Sequence, residues 1–143
     1  MTEPLLKRFE KPLFWSAALF NYAFGLWVFN IDGFVAFFAG PEMLLNDPLS
    51  RFFAHIALLA ILLFGIGYNL VALWPDRNRG IVFVGALGKV IIVPMIWVCH
   101  LDGGVGLTLA VAAIGDLLYA ALFGAWLWTT RNLSLPPQPA RTR

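Results

Sequence analysis

Charge is scarce in this chain. Of 143 residues, 13% are charged and 60% hydrophobic, with a mean hydropathy of +0.78; an ordinary soluble domain carries about 25% charged residues. A small domain buries only part of the surface that its unfolded chain exposes, which excludes one aqueous core as the home of so much apolar area. Lipid is the solvent that fits. The formal net charge of +2 is too small to recruit nucleic acid. Cysteine is nearly absent too: Cys99 stands alone, which excludes an intramolecular disulfide and thiol–disulfide exchange within one subunit. Also missing are Gly-x-Ser-x-Gly, a Walker loop and His-Glu-x-x-His. No nucleophile is matched with a base, and Cys99-His100 completes no metal spacing. A non-enzymatic protein without a metal is expected.

What is present is a set of long apolar runs, each near the ~20 residues that cross a bilayer as a helix. They cover about 13–29, 48–74, 80–100 and 107–128, which predicts an all-α, single-domain, multi-pass bundle of four transmembrane helices. Their ends carry the chemistry of helix termini. Asp47-Pro48 offers an N-cap acceptor followed by a proline that needs no N–H. Trp74-Pro75 stops the second helix, and Gly103-Gly104 stops the third, because glycine takes the left-handed cap conformation. The first run opens like a signal peptide but reaches Asn30-Ile31-Asp32 without an Ala-x-Ala site, so a retained helix is expected. Residues 33–40 are apolar but too short to cross; they are expected at the outer interface or over the bundle mouth. Residues 131–143, with three prolines, read as an extended cytoplasmic tail.

Orientation follows from the cations. Of the ten Lys and Arg, all but Arg51 and Lys89 fall on one side when the N-terminus is inside. The positive-inside rule reads this as N-in, C-in. Trp15, Trp74, Trp126 and Trp128 then mark the inner interface, and Trp27 and Trp97 the outer one.

An ionisable side chain at membrane depth is costly and is a functional candidate by default. Lys89 and Asp116 are such residues. Measured from the inner helix ends they lie ~13 and ~18 Å deep, an offset that a lysine stem spans. With Asn21 and Asn69 they form a candidate ion-pair and ligand pocket, helped by small residues at Gly25, Gly65, Gly85, Gly88 and the Ala120-x-x-x-Gly124 step. Asp76, Arg77 and Arg79 make a cytoplasmic turn suited to lipid headgroups or a partner, with Asp76 or Asn78 capping the third helix. His55 and His100 sit at matching depths near the outer side, the arrangement by which two imidazoles would hold haem b in a bundle.

The residues Gly67-Tyr68, Pro75-Asp76-Arg77-Asn78-Arg79, Gly85-x-x-Gly88-Lys89 and Gly115-Asp116 resemble a widespread group of short, uncharacterised four-helix bacterial membrane proteins, over roughly residues 55–125. The resemblance implies a bacterial inner-membrane protein in which Asn69, Arg77, Lys89 and Asp116 matter, and brings no activity. The role expected is the first of three, and the other two are its alternatives. The first is a small accessory or structural subunit, beside a larger membrane complex or as a homodimer, with Lys89–Asp116 holding the fold and no cofactor. The second is a membrane binder or carrier of a small polar or lipid ligand. The third is a bis-histidine haem b redox subunit.

Overall fold

The structure, a computed structural model, describes residues 5–39 and 46–131. Gly40 and residues 132–143, which include all but the first residue of the tail segment, lie outside the described residues. The described chain is all helix and turn: α1 (Leu5–Arg8), α2 (Glu10–Gly25) with a 3₁₀ turn (Leu26–Phe29), α3 (Ile31–Phe38), α4 (Pro48–Leu73), a 3₁₀ turn (Pro75–Arg77), α5 (Arg79–Leu101) and α6 (Leu107–Thr129). Four segments are long and apolar enough to cross a membrane: Glu10–Phe29, Pro48–Leu73, Arg79–Leu101 and Leu107–Thr129. The first begins earlier than the apolar run, because Glu10 turns inward and is buried.

Local chemistry sets the ends. The Asp47 carboxylate accepts from Ser50 N–H at 2.8 Å ahead of Pro48. Gly103 takes φ +77°, which lets Gly104 N–H reach the Cys99 carbonyl at 2.7 Å and Gly103 N–H the His100 carbonyl at 3.0 Å. That pair of hydrogen bonds is the Schellman closure of α5. The turn after α4 differs from expectation. Asn78 occupies the N-cap position of α5, but its side chain makes no capping bond there; its amide donates to the Leu70 and Trp74 carbonyls at 3.0 Å each. The same carbonyls also accept backbone N–H groups, Leu70 from Trp74 at 2.9 Å and Trp74 from Arg77 at 3.3 Å, so the amide adds a second bond to each at the end of α4.

α2 lies close against α4 and α5 close against α6, whereas α4 and α5 touch sparingly. Small side chains explain the first pair. A Cβ on Gly25 would stand 2.6 Å from the Leu62 backbone, so the α2–α4 approach at this point requires glycine. Between α2 and α6 the space is filled by rings: Phe14 packs on Phe123 at 5.4 Å and edge-on to Trp126 at 5.1 Å. Tyr68 and Phe123 complete this cluster at 5.0 Å. Trp126 is fully buried in it, which corrects its expected place in an interfacial belt; Trp15, Trp74 and Trp128 are exposed. The Ala120–Gly124 step also differs from expectation, since Gly124 is exposed and no atom beyond its own helix lies within 4 Å of its would-be Cβ.

All of the core cluster lies toward the Pro75–Arg77 turn, the turn end of the bundle. At the opposite end α3 lies across the helices, with Ile31, Val35 and Phe38 buried and Asp32 and Phe37 exposed. Its Phe38 carbonyl accepts from Gly106 N–H at 3.1 Å, tying it to the start of α6. An Asp32–Arg51 ion pair at 2.7 Å ties it to α4.

Candidate ligand-binding site

Between the ring cluster and α3 the bundle encloses a cavity of about 320 Å³. Its polar floor is built from three helices. Lys89 on α5 and Asp116 on α6 form an ion pair, with side-chain exposures of 8% and 21%. Lys89 also donates to the Asn21 carbonyl oxygen at 3.3 Å, and the Asn21 amide donates to the Ile61 carbonyl of α4 at 3.1 Å. Asn21 thus bridges the ion pair to the backbone of the neighbouring helix. The ammonium sits 5.4 Å from the Phe20 ring centre and 5.8 Å from those of Tyr68 and Tyr119, where ring quadrupoles attract a cation. Charge, hydrogen bond and aromatic faces together compensate a lysine removed from water.

The Tyr68 side chain is 1% exposed and abuts Gly85, so a side chain at 85 would displace its hydroxyl. Among the described residues that hydroxyl meets no hydrogen-bonding partner, and Tyr68 lines the cavity. The walls are apolar, and Phe34 of α3 contributes to them. Ala57 and Ala60 of α4 and Gly88 and Ile92 of α5 both line the cavity and are exposed on the bundle surface. They make a mouth at the sparse α4–α5 seam, and at Gly88 nothing lies within 4 Å of a would-be Cβ.

The four pocket residues read from the sequence therefore divide. Asn21, Lys89 and Asp116 converge on one network. Asn69 does not line the cavity; its amide donates to the Tyr22 hydroxyl in the α2–α4 interface, leaving its own carbonyl oxygen buried without a partner. Sequence reasoning missed the aromatic cage and the mouth. A signal for the mouth existed: Ala57 and Ala60, three apart on α4, and Gly88 on α5 leave small residues on those helices, so the seam between them has little to fill it.

The turn residues serve the fold. Asp76 pairs with Lys7 at 3.0 Å, and Lys7 also meets Glu10 at 3.2 Å. Partial desolvation alone would lower the Lys7 ammonium, but its hydrogen bonds to Asp76 and Glu10 outweigh this and raise it above the ordinary lysine value. Trp126 N–H donates to Glu10 at 3.2 Å. Arg79 donates to the Thr130 hydroxyl at 2.6 Å and the Leu127 carbonyl at 3.0 Å, with its guanidinium 4.8 Å from the Trp126 ring centre. A cation at the carbonyl end of α6 also meets the negative end of its dipole. Arg77 is exposed. Neither histidine lines the cavity: His55 Nδ1 lies 2.7 Å from the Arg51 carbonyl and His100 Nδ1 2.9 Å from the Val105 carbonyl. Among the described residues no group of three or more His, Cys, Asp or Glu is placed to hold a metal ion.

Compared with protein-family models, with curated proteins and with solved structures, the chain finds no match. The case for function rests on the geometry. Tyr68, Gly85, Gly88, Lys89 and Asp116, all within the motifs that suggested the bacterial membrane group, line this one cavity.

Proposed function

We propose that this chain is an inner-membrane protein, with both ends in the cytoplasm, that binds or carries a small ligand in the cavity beside Lys89. The observation that supports this most is the place of the ion pair. A lysine–aspartate pair kept only to hold two helices together repays its desolvation when the protein satisfies its remaining donors and acceptors. This pair instead borders about 320 Å³ of space with apolar walls, within the ~300–1,000 Å³ range of ligand pockets and with the few convergent polar groups typical of them. The accessory-subunit reading requires no such space. The positive-inside rule supports the orientation, and Arg51, the one cation assigned to the outer ends of the helices, has its charge balanced by Asp32.

The test is purification from native membranes in mild detergent, followed by mass spectrometry of retained small molecules and proteins. Wild type is expected to release one small molecule in stoichiometric amount. The Lys89→Met/Asp116→Leu double variant is expected to fold and come off empty. Wild type that is empty and bound stoichiometrically to a larger complex would replace this reading with the accessory one.

A further inference from the structure

Resting on that reading, we infer that the ligand is an uncharged, largely apolar molecule bearing one hydroxyl or carbonyl group, and that it enters sideways from the bilayer between α4 and α5. Three observations carry this. The first is charge balance. Lys89 and Asp116 already neutralise each other, so an ionised head would introduce an unbalanced charge at membrane depth, where charge is costly. The second is hydrogen-bond capacity. An ammonium has three donors; two of those on Lys89 go to Asp116 and Asn21, and the Tyr68 hydroxyl has no partner among the described residues. A hydroxyl or carbonyl oxygen satisfies both without adding charge. The third is the position of the mouth. The exposed lining residues Ala57, Ala60 and Gly88 sit on the flank of two spanning helices, so the opening faces acyl chains rather than water. At about 320 Å³ the cavity is at the small end for ligands, which suits a single chain or a ring and not a whole two-chain phospholipid.

The binding mode follows from these pieces. The oxygen accepts from Lys89 and lies beside Tyr68, and the apolar body extends along Phe20 and Ile92 toward Phe34. α3 covers the far end, so the body fits without reaching water.

The experiment uses the full chain in lipid nanodiscs and a dodecanol carrying a diazirine and an alkyne. Labelled peptides are mapped with unlabelled competitors of equal chain length: dodecanol, dodecane, dodecanesulfonate and dodecyltrimethylammonium. Labelling is expected on the cavity faces of α4 and α5, with dodecanol competing at least about tenfold better than the other three. Gly88→Phe is expected to abolish labelling while leaving the unfolding temperature within a few degrees of wild type; Ala60→Phe serves if Gly88→Phe does not fold. Equal competition by either ion or by dodecane overturns the uncharged polar head but leaves the pocket. Undiminished labelling in a folded portal variant overturns the lateral route. Labelling that is absent from the cavity, and the same in the Lys89→Met/Asp116→Leu variant, overturns the binding reading itself.

Discussion

The two ends of the bundle are made of the same four helices and have opposite interiors. At the turn end the facing positions carry Phe14, Tyr68, Phe123 and Trp126, and the space between helices is filled by rings 5.0–5.4 Å apart. At the α3 end the facing positions carry Ala57, Ala60 and Gly88, and the space stays open. In lipid the hydrophobic effect does not drive helices together, so packing and polar contacts decide where they touch. A stretch with small side chains on both sides of a seam closes only if the backbones approach. Here α2–α4 does so at Gly25, whereas α4–α5 does not: the Tyr68 ring stands between these two helices at Gly85, and nothing lies within 4 Å of a would-be Cβ at Gly88. The filled end therefore props the empty end open.

The largest way to break this contrast is to unbalance the floor. Lys89→Met alone strands the Asp116 carboxylate at membrane depth and is expected to cost about 3–5 kcal/mol, whereas the added Asp116→Leu change restores most of the loss; unfolding in mild detergent reads both. Next comes packing. Phe123→Ala empties a fully buried site and should cost about 3 kcal/mol, while Ala60→Leu fills existing space and should cost less than about 1 kcal/mol. Equal losses from the two would mean that the α3 end is packed as tightly as the turn end. A smaller effect, about 0.6–2 kcal/mol, is expected for Asn21→Leu, which removes one interhelical hydrogen bond to Ile61 and one from Lys89. The smallest concerns the cover. The hydrogen bond from Arg51 holds the exposed Asp32 carboxyl below its usual value. A folded value that is depressed contributes above the unfolded value of about 3.9 and is lost as pH falls through the folded one. Amide exchange in α3, corrected for its intrinsic rate, should quicken below about pH 4 and stay constant between pH 5 and 8.

Much of this was legible in one dimension because lipid imposes a simple rule. A spanning segment needs enough apolar residues and must satisfy its backbone internally, so the helices at Pro48–Leu73, Arg79–Leu101 and Leu107–Thr129 match their apolar runs to within one residue at either end. The Asp47 cap and the Gly103 stop were equally visible, since both act through neighbours in the chain. Lys89 and Asp116 stood out because charge at that depth is rare.

The chain alone determined the helices, their ends and the presence of an internal ion pair, all consequences of local periodicity and of the cost of charge in lipid. Which residues meet was decided only in three dimensions. Asn21 joins the pair while Asn69 turns to Tyr22, Trp126 leaves the interface for the core, and Glu10 reaches across to it. Arg79 is spent on the end of α6. Rotation of each helix about its axis chooses these partners, and packing against the other helices sets that rotation. The cavity belongs to this second class: it is the space that four rotated helices leave unfilled, and no single segment encodes it.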